Sequence, residues 1–143
     1  MTPQQISLVR GTWKSIEPHA EEATGNFYAR LFELDPALRA FFGSDLHAQR
    51  RKLAATISMA VASLDRLEKL APTLRELGRR HAGYGVEDRH YATVGTALLD
   101  TLAAGLGDAF TPAVKEAWTA TYTALAKAMK SGAAEARPLA LAS

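Results

Sequence analysis

The chain has 143 residues, with 17 Lys and Arg against 15 Asp and Glu, a formal charge of +2 and no cysteine. That length describes one domain, able to bury roughly 70% of the surface its unfolded chain exposes. The missing thiols exclude disulfide frameworks, thiolate zinc sites and cysteine nucleophiles together, and so small a charge, spread over alternating signs, gives no basic stripe for nucleic acid, the densest cluster, Arg50-Arg51-Lys52, reading as a solvated helix face.

The 28 Ala and 18 Leu against 8 Val and Ile favour helix over strand, so the expected class is all-α. Thr2-Pro3-Gln4-Gln5 has the form of a capping box with proline at the first helical position. Ile6, Val9, Trp13 and Ile16 then recur at helical spacing until Glu17-Pro18. A second helix carries Phe27, Leu31 and Leu34 and stops at Asp35-Pro36, which caps a short helical piece ending in Phe41-Phe42-Gly43. Ser44 or Asp45 caps a longer helix with Leu46, Leu53, Ile57, Val61 and Leu64 on its face.

After Leu70-Ala71-Pro72, the residues Leu70, Leu74, Leu77 and His81 follow helical steps, which puts a histidine in an apolar stripe. Gly83 and Gly85 end that segment. Asp88 is expected to cap a helix with Tyr91, Val94, Leu98, Leu102 and Leu106 on one face, closed by Gly107. Thr111-Pro112 opens a last helix with the stripe Val114, Trp118, Tyr122, Leu125 and Met129. The run from Ser131 is small, polar and broken, so the domain is expected to span residues 1–130, with 131–143 as a frayed tail.

The longest uncharged apolar stretch, Leu53 to Leu64, is 12 residues and is interrupted by Thr56, Ser58 and Ser63, too short for a membrane span. No basic segment followed by an apolar one marks the N-terminus, so a cytoplasmic protein, monomer or weak dimer, is expected. Phosphate loops, serine nucleophile elbows and paired-histidine zinc motifs are missing, leaving hydrolase and nucleotide readings without support.

What remains is His81. A histidine on an apolar face is ordinarily a core residue satisfied by a backbone carbonyl. Here Arg79 and Arg80 precede it, so one helix joins an inward imidazole to cations. An iron porphyrin needs that combination, because the macrocycle is apolar while its propionates pair with cations at the edge. Phe42 and the Leu and Val stripes would supply the walls.

Phe27-Tyr28, Asp35-Pro36, Phe42, Gln49 with Lys52-Leu53, Gly78-Arg79-Arg80-His81, Tyr84-Gly85-Val86, His90-Tyr91 and Trp118 occur in this order. With that set the chain resembles the globin family over residues 4–130, in particular single-domain bacterial globins similar to flavohaemoglobin haem domains and neuroglobin-like forms. The resemblance implies a globin fold of about 7–8 helices around a haem b pocket, with helices crossing near 50°. It implies that His81 ligates the iron, that Tyr28 and Gln49 form the polar distal pair, and that Phe42 packs on the porphyrin. Leu53, one helical turn after Gln49, shares the distal face. Ile57, Leu77, Val86, Tyr91, Val94 and Tyr122 are expected to line the same pocket. Lys52, Arg80 and Arg51 are candidates to pair the propionates, and equally readable as free surface cations.

In flavohaemoglobins the tyrosine matching Tyr91 belongs to a proximal His-Tyr-Glu set, and the glutamate would fall near Ala133. The nearest acid here is Glu135, so His81 Nδ1–H is expected to bond to a backbone carbonyl. The resemblance implies reversible, tight O₂ binding, with CO and NO as further ligands, because a phenol O–H and an amide N–H stabilise the charge that O₂ gains on ferrous iron. It also implies oxidation of NO to nitrate. The chain has neither the length nor a dinucleotide motif for a reductase, so that activity is expected to take electrons from a separate protein or reductant. The alternative is a haem sensor or electron carrier with an internal sixth ligand, for which His47 is the candidate, although it lies on a different side of an ideal helix from Gln49. His19 has no assignable role. Met59, Met129, Trp13 and Trp118 read as core.

Overall fold

The computed structural model describes the backbone of residues 1–142 and the side chains of residues 1–135. Six α-helices, α1 (Pro3–Ile16), α2 (Ala20–Leu34), α3 (Leu46–Ala62), α4 (Leu67–Gly83), α5 (Asp88–Leu106) and α6 (Pro112–Ala142), are joined by four short 3₁₀ segments, with no strand among the described residues. Their ends follow local chemistry. Thr2 Oγ1 accepts from Gln5 N–H at 3.1 Å while Thr2 N–H donates to Gln5 Oε1 at 3.1 Å, a complete capping box with Pro3 at the first position. Asp35 accepts from Ala37 N–H at 3.2 Å and opens the 3₁₀ segment Pro36–Phe41. Asp45, rather than Ser44, caps α3 by accepting from Ala48 N–H at 3.0 Å.

Two boundaries differ from the sequence reading. Pro72 lies inside α4, which already begins at Leu67, so the proline removes one intrahelical hydrogen bond instead of marking an edge. The cap of α5 is Glu87, one residue before Asp88, and Glu87 N–H donates to His90 Nδ1 at 2.8 Å. Gly85 (φ 97°) and Gly107 (φ 55°) hold left-handed turns that a side chain would strain.

α6 also differs. It continues without a break through Ser131–Glu135, where fraying was expected, and Gly132 and Ala133 are buried. Ser131 and Gly132 are weak helix formers, and the helix persists through them because Ala133, Ala134 and Glu135 favour it and Gly132 is buried against α4. The side chains of residues 136–143, the remainder of the expected tail, lie outside the described residues.

The helices pack as α4 along α6, α2 on α5, and α1 on both α6 and α3, whereas α3 and α4 do not pack on each other. One core cluster joins Val9, Trp13, Ile16, Val61, Leu64, Leu102, Val114, Ala117 and Trp118. Trp13 and Trp118 meet edge to face at 6.3 Å, and Trp118 Nε1 donates to Thr12 Oγ1 at 2.9 Å. A second cluster, Phe27, Tyr28, Leu31, Leu38 and Ala97, lies where α2 crosses α5. No described helix is long and apolar enough to cross a membrane.

Candidate functional site

α3 and α4 each pack on other helices and at most slightly on each other, so the two stand apart, and the interval between them is where a cleft would lie. Phe42, Leu53 and Val94 pack against the second core cluster yet remain half-buried, as Ile57 does against the first. Apolar side chains left partly open on a packed core are the surface that a flat apolar ligand would cover. Leu77 on α4, Tyr122 on α6 and Val86 in the turn after α4 are half-buried too, while Tyr91 is buried.

His81 stands at the C-terminal end of α4, half-buried. Its Nδ1 lies 2.6 Å from the Leu77 carbonyl oxygen. An oxygen with only lone pairs requires a donor at that distance, so Nδ1 carries the proton and Nε2 keeps its lone pair. The imidazole thereby has a fixed tautomer and is oriented by its own helix, with Nδ1 on a backbone carbonyl as expected in the absence of the glutamate. Ala133, at the position counted for that glutamate, is buried, and Glu135 instead accepts from Arg79 Nη2 at 2.7 Å.

The polar pair also comes together. Tyr28, on α2, is 4% exposed and sits among Phe27, Phe32 and Phe42, with ring centroids at 5.1, 6.1 and 5.3 Å. Burial raises its pKa above the ordinary tyrosine value, and the Gln49 side chain on α3 pulls the other way. The phenol therefore stays protonated and able to donate at neutral pH. Tyr122 Oη donates to the Tyr91 carbonyl at 2.6 Å, and burial raises its pKa strongly. The Lys130 ammonium lies 5.6 Å from the Tyr91 ring centroid.

Lys52, Arg51 and Arg80 are exposed. Arg80 Nε lies 3.7 Å from Glu76, so it is already engaged along α4. Arg50, read from sequence as part of a solvated charge run, is half-buried: its guanidinium covers Gly25, and its buried Nε has no partner among the described residues. His47 Nε2 is 2.8 Å from Glu21 with the side chain 57% exposed, so the nitrogen that a sixth ligand would use is engaged at the surface. His90 is buried, caps α5 and meets Phe41 at 5.4 Å. Only the glycine pattern of residues 78 and 132 hinted at the close α4–α6 seam, and sequence reading passed over it.

One imidazole with Nδ1 held by its own helix, half-open apolar side chains on the packed core, and the buried Tyr28 with half-buried Gln49 suit an iron porphyrin, and the residues present fit that group.

The globin family model matches residues 25–129. The chain is 33% identical over 126 residues to a flavohaemoprotein of Bacillus subtilis, covering 86% of this chain and 32% of that one. It is 35% identical over 132 residues to a flavohaemoprotein of Deinococcus radiodurans, at 90% and 33% coverage. It thus spans about a third of the length of these curated relatives. A neuroglobin of Dissostichus mawsoni is 34% identical over 146 residues, with 92% of each chain covered. The structure of a bacterial globin from Campylobacter jejuni superposes with a TM-score of 0.78 at 26% identity, covering 88% of this chain and 91% of the other. Residue pattern, cleft and comparisons agree: the chain belongs to the globin family.

Proposed function

We propose that this globin holds haem b through His81, binds O₂ reversibly and tightly, accepts CO and NO at the same position, and oxidises NO to nitrate when a separate reductant returns the iron to the ferrous state. When bound, the haem supplies a ferrous iron for diatomic ligands and the one-electron chemistry that converts NO and O₂ to nitrate. The observation that carries the reading is the buried, protonated Tyr28 phenol, with the Gln49 side chain close enough to act on it. Two donors in a site of low dielectric stabilise a ligand that gains negative charge more than one that does not, which favours O₂ over CO.

His81 fixes the iron through Nε2 because its Nδ1 proton is committed to Leu77. Phe42, Leu53, Ile57, Leu77, Val86, Tyr91, Val94 and Tyr122 would exclude water from the porphyrin faces. Lys52 and Arg51 on α3 and Arg80 on α4 would neutralise propionates at the cleft edge. The His81 Nδ1 proton goes to a backbone carbonyl and Glu135 is engaged by Arg79, which favours carrying and dioxygenation over peroxide cleavage.

The test is addition of NO to the oxygenated protein. Stoichiometric nitrate with ferric haem is the expected result, and a stable oxygenated spectrum under NO would refute the dioxygenase part. O₂ dissociation no slower in wild type than in the Tyr28→Phe, Gln49→Leu double variant would remove the distal pair.

A further inference from the structure

The helix that bears His81 is held mainly by one neighbour. α4 packs along α6, its other substantial neighbour is the short turn Leu64–Arg66, and α3 leaves the cleft beside it open. Where α4 rests on α6 therefore decides where His81 stands.

That seam has an unusual form. A Cβ placed on Gly78 of α4 would fall inside the Met129 peptide of α6, and one placed on Gly132 of α6 would fall inside the Arg75 peptide of α4. Each helix presses its backbone into the gap left by a glycine of the other, 75 against 132 and 78 against 129, so the two run antiparallel at the contact. Side chains at a contact set the distance between helix axes, and here there are none. Beside this double notch, Glu135 accepts from Arg79 at 2.7 Å and lies 3.9 Å from Arg75 Nη2, tying the end of the seam to the same turn of α4.

The connection to the imidazole is short and stiff. Leu77 adjoins Gly78, and its carbonyl is the 2.6 Å acceptor of His81 Nδ1. Displacement of α4 at residues 75–78 moves that carbonyl, and the ring follows, since it is fastened both by its own Cα and by this hydrogen bond.

We propose that Gly78 and Gly132 are positioning residues for the axial imidazole: the double notch sets how α4 stands relative to the cleft, and so the strain on the bond from His81 to the iron. The proposal rests on the reading of His81 as the ligand. It gives residues 129–135 a part in tuning the proximal bond, and it explains why α6 runs on through Ser131 and Gly132. A methyl group at either glycine leaves α4 no position except one further from α6, because the atoms it meets are backbone and cannot rotate away.

The test is resonance Raman spectroscopy of the ferrous, ligand-free, haem-loaded full chain, which reads the iron–imidazole stretching band. Gly132→Ala is introduced into wild type and into a His81→Gly chain supplied with free imidazole. The expected result is a resolved shift of the band in the wild-type background and none with free imidazole, which is not tethered to α4. An unmoved band in wild type, or an equal shift in both backgrounds, would overturn the proposal. Persistence of the wild-type band in His81→Gly without imidazole would overturn the ligand assignment itself, a distinct failure. Should Gly132→Ala not fold, Glu135→Gln unties α6 from Arg79 and Arg75 without crowding the seam, and an unmoved band there overturns the proposal equally.

Discussion

Replacing Tyr28 by Phe isolates one hydrogen from everything else the residue does. The ring is 4% exposed and locked by Phe27, Phe32 and Phe42 at 5.1–6.1 Å, and a phenylalanine fills the same space with the same neighbours. What disappears is an O–H donor that burial keeps protonated, beside the Gln49 side chain. A hydrogen bond to a charged partner contributes about 1.5–3 kcal/mol, which corresponds to roughly 10- to 150-fold in rate at about 1.4 kcal/mol per factor of ten. The Gln49 amide remains as a second donor, so the lower half of that range is expected. Stopped-flow displacement of O₂ by CO measures it directly. Since the pKa of Tyr28 is raised above its ordinary value, the wild-type rate should also be flat through neutral pH. A dissociation rate unchanged by Tyr28→Phe, with the fold intact by circular dichroism, would show that the phenol does not reach the ligand.

Three further outcomes are expected. His81→Ala should abolish stable haem retention, read as loss of the Soret band after gel filtration; retention with an unchanged spectrum would exclude His81 as the ligand. Leu31→Ala, at a residue 2% exposed between α2 and α5, should cost about 2–5 kcal/mol by denaturant titration, and a loss well under that would mean the second cluster is not a packed core. Burial raises the pKa values of Tyr28 and Tyr122, so the folded chain holds these protons longer than the unfolded one. That contribution is fully present below the ordinary tyrosine value and is lost as pH rises toward the folded values. Melting temperature should therefore fall on the alkaline side, and less steeply in Tyr122→Phe; equal slopes would place the loss elsewhere.

Much of the molecule was legible without coordinates because its signals are local. The Thr2 capping box, the stop at Asp35, the Asp45 cap and the Gly107 turn depend on atoms within a few residues of each other, and each appears where spacing put it. The expected His81 Nδ1 bond to a carbonyl is of the same kind, four residues back on its own helix. Local chemistry also failed locally: a cap read as Asp88 is Glu87, since a histidine three residues on can accept the cap N–H as a glutamate side chain would.

The rest needed two distant segments at once. Ser131-Gly132 reads as a helix end by itself, and it is the close approach of α4 backbone at Gly132 that carries α6 past it. Arg50 reads as one of three solvated cations until α2 is beside it and Gly25 leaves room for its guanidinium. His47 could be a ligand until Glu21 is found 2.8 Å away. The amino-acid order by itself determined the helical class, most helix ends, the lone imidazole in an apolar stripe and its tautomer, because periodicity and capping act over one or two turns. Which helices touch, which pair stays apart to leave a cleft, and which glycines carry the α4–α6 seam were decided only by the tertiary structure, because close packing is a relation between surfaces that sequence spacing does not encode.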